Sequence, residues 1–202
     1  PIKSSAASDV YKRQIQDSCY PGTTVLVNKL DIRNEKKLQE IEAVLSSSRS
    51  AEWEAQPKVE SFDFAHYKAV HHFLFSDLYD WAGQVRTVNI SKKGTDFCPA
   101  KDIEEQAALI FTRLKEKDYF KSLPHDSFVD EIVDFYCSTN YLHPFREGNG
   151  RSQRAFLAQL VRFAGYSLNW SEVDGDLLMI ATIQSSHGVT DLLRNILKDS
   201  IN

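Results

Sequence analysis

Little in this chain could be stapled covalently. It has three cysteines, Cys19, Cys98 and Cys137, widely spaced and odd in number. They make neither a disulfide framework nor a CxxC metal knuckle, and reduced thiols in a bacterial cytoplasm are expected. Long apolar runs are missing as well. The densest stretch, Leu177 to Ile183, falls far short of the ~20 residues that span a bilayer, so no membrane partner is expected. No N-terminal segment has the charged-then-apolar layout of a signal peptide. Positive charge is not in excess: the net charge of −4 gives no bulk field to attract nucleic acid or an anionic membrane. There is no internal repeat, low-complexity tract or Pro/Gly-rich linker. What remains, with 42% hydrophobic and 26% charged residues, is ordinary globular composition. The length of 202 residues allows one domain or at most two small ones.

The chain begins at Pro1, and Ser4 to Gln14 read SSAASDVYKRQ. That string resembles a translated frame of a transposon adaptor used to build sequencing libraries. Residues 1–14 are therefore set apart as a non-native scar, leaving 15–202 as a single domain. From there helical periodicity dominates. Leu38, Ile41 and Leu45 give one buried stripe over Glu35 to Leu45, with Ser46 to Ser50 as a polar break. Asp63 can cap a second helix ending near Gly83. Val85, Val88 and Ile90, a Lys92-Lys93-Gly94 turn and a return over Thr95 to Cys98 predict a short hairpin. Further helices are expected over about Lys101 to Lys117, after Pro124 with Asp126 as cap, and over Asn149 to Ala164 with Gly165 as stop. One or two more close the chain, the last over about Val189 to Leu197. The class is all-α with one β-hairpin.

The informative stretch is His143-Pro144-Phe145-Arg146-Glu147-Gly148-Asn149-Gly150-Arg151, with Arg154 three residues on. A loop with two glycines runs into a helix N-terminus, where outward-facing amides carry partial positive charge. That is a ready anion site. Arg151 and Arg154, at i and i+3, can reach the same side. Two guanidinium groups beside an amide nest suit a polyphosphate. Glu147 is an odd neighbour for an anion unless Mg²⁺ bridges carboxylate and phosphate oxygens. His143, the one nearby group that titrates near neutrality, is the natural general base. His66, His71, His72, His125 and His187 read as structural. Together, these features spell phosphoryl or nucleotidyl transfer.

HPFREGNGR with Arg154 resembles the Fic family signature HPFx[D/E]GNGRxxR at every specified position. Tyr20-Pro21-Gly22-Thr23, His72 to Phe75, Asp80 to Gly83, Arg86, Asn89-Ile90-Ser91 and Asn169-Trp170-Ser171 extend the likeness over Cys19 to Leu197. The resemblance implies a Fic-type helical bundle and a protein adenylyltransferase that moves AMP from ATP to a Ser, Thr or Tyr hydroxyl of a target protein, releasing pyrophosphate. It implies His143 as base, Glu147 as Mg²⁺ ligand, and Gly148, Asn149, Gly150, Arg151 and Arg154 as phosphate contacts, with Asn149 also offering its side chain. Phe145 would anchor the loop. The hairpin Asn89, Ile90, Ser91, Lys92, Lys93, Gly94, Thr95, Asp96 and Phe97 would be a flap that docks the target's main chain by strand addition. A glycine at 150 leaves room for the pyrophosphate end of ATP, although another nucleotide remains an alternative, as does a catalytically silent nucleotide-binding regulator.

The resemblance also implies a mode of control, in which the Glu of an [S/T]xxxE[G/N] helix pairs with the motif's second arginine, here Arg154. Ser171 to Asn202 carries no such pattern, and Ser48-x-x-x-Glu52 is followed by Trp53. A small antitoxin-like partner supplying the Glu in trans is therefore expected. The chain closes at Asn202 soon after the last expected helix, which favours a stand-alone protein over a piece of a larger secreted effector.

Overall fold

The periodicity of the sequence is realised in seven α-helices among the described residues of the computed structural model, which are 18–56, 59, 61–92 and 94–202. Residues 1–14, set apart as a scar, and Lys93 of the expected flap lie outside them. In chain order the helices are α1 (Glu35–Glu54), α2 (Phe64–Phe75), α3 (Ile103–Glu116), α4 (His125–Leu142), α5 (Asn149–Phe163), α6 (Gly175–Ser186) and α7 (Asp191–Ser200). Between α2 and α3 stands an antiparallel hairpin of β1 (Ser91–Lys92) and β2 (Thr95–Asp96), with Ser91 opposite Asp96 and Lys92 opposite Thr95. The architecture is all-α with one hairpin.

Helix α5 is the hub. Ten of its fifteen residues are buried, which requires neighbours on nearly every side. Helices α1 and α2 supply one wall and α4 the other, while α3, α6 and α7 pack against α4. Around Phe156, on α5, the rings of Phe62 and Phe111 stand edge-on at 89° and 86°, the arrangement that the ring quadrupole favours. Burying each such side chain contributes about 1.5–3 kcal/mol. This hub fixes where the N-terminus of α5, and the loop feeding it, must lie.

Several boundaries differ from the sequence expectation. Helix α1 runs through the expected break at Ser46 to Ser50 and ends at Glu54. The serine hydroxyls donate back along the helix, Ser46 to Glu42 O at 2.6 Å and Ser50 to Ser46 O at 2.8 Å, so their polarity is satisfied without leaving it. Helix α2 is capped by Asp63, which accepts from His66 N, but it stops at Phe75. The chain then turns through Leu78 and Tyr79 to Gly83, whose φ of +80° is left-handed. Val85 and Val88 lie outside the strands, and Val88 is buried against the protein. Asp126 does not cap α4: Pro124 holds that position and Asp126 lies in the first turn. The last helix starts at Asp191 and continues to Ser200.

Candidate active site

The loop between α4 and α5 is locked from several directions. Helix α4 ends as His143 enters the left-handed region at φ +38°. Phe145 is wholly buried and stacks on His71 with ring centroids 3.9 Å apart. Asn149 closes the loop on itself: its Oδ1 accepts from Phe145 N at 2.9 Å and its Nδ2 donates to Phe145 O at 2.8 Å. One bond at each polar end leaves this amide a second N–H and a second oxygen lone pair, and Asn149 lines the cavity described below. Gly148 sits at φ +79°, and a Cβ there would overlap the Phe75 ring, so glycine is required on two independent grounds. Gly150 is different, because a Cβ there would meet only Arg154 Nη1, at 3.5 Å.

Two residues that the sequence reading left without roles hold the loop from outside. His71, on α2, is completely buried. Gly83 N donates to its Nδ1 at 2.8 Å, so the ring proton resides on Nε2, which donates to Glu147 O at 3.0 Å. Burial pulls its pKa down to about 4, which keeps the ring neutral and this pairing intact. Arg86 donates Nε to His143 O at 2.8 Å, Nη1 to Val88 O at 2.7 Å and Nη2 to Cys98 O at 2.5 Å. One guanidinium thus joins both arms of the hairpin to the loop. Backbone bonds from Arg86 N to Pro144 O and from Cys98 N to Tyr141 O, both 2.9 Å, complete the seam.

The loop and the start of α5 face a cavity of about 670 Å³ lined by His143, Glu147, Gly148, Asn149, Gly150, Arg151 and Arg154, with Lys92, Thr95 and Phe97 from the hairpin. Of the chain's six histidines only His143 lines it. Its Nδ1 donates to Asn140 O at 3.2 Å, leaving Nε2 as the unprotonated nitrogen. The Phe97 ring lies over the imidazole at 3.7 Å, nearly parallel. Burial, reinforced by the charge of Arg86, lowers the His143 pKa to about 4. The ring is therefore a neutral acceptor at physiological pH.

The two arginines are unalike. Arg151 donates Nη2 to the Glu42 carboxylate and Nη1 to Ser46 Oγ at 2.9 Å, both on α1. Arg154 has no acidic partner among the described residues, and its pKa is lowered chiefly by burial. Arg154 is half-buried, and a partly desolvated cation with no counter-charge gains from an anion joining it. Glu147 Oε1 accepts from Gly148 N at 3.0 Å, while its Oε2 makes no hydrogen bond among the described residues.

The hairpin residues divide. Asn89 is a pin, its Oδ1 accepting from Ala100 N at 2.8 Å. Thr95 Oγ1 lies 3.2 Å from Ser186 Oγ on α6. Asn89, Ser91, Lys92, Gly94 and Asp96 are exposed, and Ile90 is half-buried. An apolar wall of Leu178, Met179 and Ile183 from α6 completes the cavity. These residues follow the motif by a full helix and carried no local signal of a site. Glu52, of the candidate inhibitory pattern, pairs with Arg49 at 2.9 Å.

A family model described as Fic/DOC family matches residues 61–161. The chain is 39% identical over 171 residues to "Probable protein adenylyltransferase y4lH" of Sinorhizobium fredii, covering 84% of this chain and 88% of that one. It is 35% identical to "Probable protein adenylyltransferase Fic" of Salmonella typhimurium, covering 91% and 90%. Among solved structures, that of BepC from Bartonella tribocorum with bound AMPPNP superimposes with a TM-score of 0.88 at 26% identity, covering 93% of this chain and 97% of that one.

Proposed function

The chain belongs to the Fic/DOC family, and from that premise we propose that it works as a protein adenylyltransferase, moving AMP from ATP to a Ser, Thr or Tyr hydroxyl of a target protein. The observation that carries the reading is the pairing in one cavity of a neutral histidine with an open Nε2 and a half-buried arginine, Arg154, that has no acidic partner among the described residues. His143 Nε2 takes the proton of the target hydroxyl. The oxygen attacks the α-phosphorus, and pyrophosphate leaves. Arg154 and the first amides of α5 hold the phosphates, with Arg151 beside them. Gly150 leaves space at the phosphate end, and the α6 wall of Leu178, Met179 and Ile183 suits a planar base.

Glu147, with one carboxylate oxygen unengaged among the described residues, suits Mg²⁺. No group of three acidic, His or Cys residues that could cage a metal occurs among the described residues, and Mg²⁺ is commonly bound by one or two carboxylates together with substrate phosphates. When bound it would neutralise charge developing on those phosphates. The exposed hairpin adds to the target's main chain as a strand and presents the hydroxyl to His143.

Control comes from a small antitoxin-like partner. A second cavity, about 690 Å³, runs along α1 past Leu38, Gln39, Ala43 and Ser47 to Arg154. It suits a helix whose Glu reaches that guanidinium. The protein acts in a bacterial cytoplasm, where its three free thiols stay reduced.

The test is labelled ATP with bacterial lysate. Label on the α-phosphate should appear on protein and label on the γ-phosphate should not. Transfer of γ-label would make the chain a kinase and sink the reading.

A further inference from the structure

Glu42 lies on α1, more than a hundred residues before the motif, and is 9% exposed. Its Oε2 accepts from the Tyr79 hydroxyl and its Oε1 from Arg151 Nη2. One turn on, Ser46 Oγ accepts from Arg151 Nη1 at 2.9 Å while donating to Glu42 O at 2.6 Å. The Phe75 ring lies 4.7 Å from the guanidinium carbon, within cation–π range. Arg151 is therefore held by a carboxylate, a hydroxyl and a ring drawn from α1 and α2, while its side chain still lines the cavity.

Resting on the adenylyltransferase reading, we propose that Glu42 is a positioning residue. It fixes the Arg151 guanidinium so that the donors not used by α1 face the phosphates of the nucleotide. A guanidinium has five N–H donors in a rigid fork, and two of them are engaged with Glu42 and Ser46. The remainder keep a fixed direction because the fork cannot turn without leaving both partners. Pairing with Glu42 also neutralises much of the Arg151 charge. The two motif arginines thus divide the work: Arg154 supplies net positive charge, and Arg151 supplies oriented donors. This accounts for a chain running from buried Tyr79 through buried Glu42 to half-buried Arg151, at a site where a lone arginine would bind phosphate on charge alone. Burial and the carboxylate raise the Tyr79 pKa, so its hydroxyl keeps its proton and remains a donor to Glu42.

The test is a double-mutant cycle on the full chain, read as the Kd for ATP by calorimetry. Glu42→Ala should weaken ATP binding about tenfold, the size expected for groups in direct contact. In an Arg151→Ala background the same change should cost less than about twofold, because the residue through which Glu42 acts is gone. Glu42→Gln keeps an acceptor for Arg151 and should recover part of the affinity; it also serves if the alanine variant does not fold. An equal loss in both backgrounds would make Glu42 a general structural residue and overturn the proposal. Tighter ATP binding by Glu42→Ala would make it a competitor for Arg151 and overturn it too. Labelling with α-labelled ATP is run in parallel. A wild type that binds ATP but labels nothing would fail the adenylyltransferase reading and leave the cycle in binding intact. A wild type that binds no ATP would overturn both.

Discussion

The motif loop and the hairpin face each other across the cavity and are built to opposite standards. The loop from His143 to Asn149 is tied by Asn149 to itself, by His71 from α2, by Arg86 from the hairpin base and by the buried ring of Phe145. Its one unusual glycine, Gly148, has no space for a Cβ. The hairpin has two residues per strand, and above the Arg86 seam it is anchored by Asn89 to Ala100, Thr95 to Ser186 and the Phe97 ring on His143. Two-stranded hairpins are marginal by themselves. The difference teaches where precision is needed: phosphate chemistry tolerates little displacement, whereas the hairpin, in its proposed role of receiving a target's main chain, would gain from adjusting to it.

The contrast is sharpest in acid. The loop rests on two imidazoles, His71 and His143, whose folded pKa values are lowered to about 4. The unfolded chain protonates them near 6.5. Their contribution to stability is thus complete above about pH 6.5 and lost as pH falls through about 4. The loss should reach about 3 kcal/mol per histidine at most. Thermal melts from pH 7 to pH 4 should show a falling Tm over that window, and His71→Gln should flatten part of it. Next in size is Gly148→Ala, which should cost about 2–4 kcal/mol, combining left-handed strain with overlap on Phe75. The Tm should drop by about 5–10 °C and transfer should be lost, whereas alanine at exposed Gly94, which shares the left-handed φ at +78° but where a Cβ would meet no atom within 4 Å, should leave ATP binding unchanged. Phe97→Ala should act more mildly and in a different currency. With the ring gone His143 is better solvated, its pKa rises toward its ordinary value, and the acid limb of the rate profile moves up from about 4. ATP affinity should stay within about twofold. Lys92→Ala, in the exposed strand, should be smallest, within about 0.5 kcal/mol in stability, and should appear chiefly as altered choice among target proteins.

The same contrast governs what could be read from the sequence. The chemistry of the loop is contiguous, so His143, Glu147 and both arginines stand together in the sequence, and local rules for glycines and helix starts apply to them directly. The helices could be read wherever one stripe repeats. Boundaries failed where polarity is satisfied out of sight: Ser46 and Ser50 look like a break but bond along α1. The supports of the loop were invisible for a different reason. Glu42 is 109 residues from Arg151 and His71 is 76 from Glu147, and no local pattern links a lone Glu or His to a partner so distant. The reach of Asn149 back to Phe145 emerged only with the loop's actual curvature.

The central claim is that His143 moves the proton while the rest of the cavity holds the nucleotide. Measuring the ATP Kd and the rate of α-label transfer to protein for His143→Ala, in the same preparation, tests it most directly. The account predicts a rate lower by about 10²–10⁴ with the Kd within about twofold of wild type. Transfer within a few-fold of wild type would contradict it.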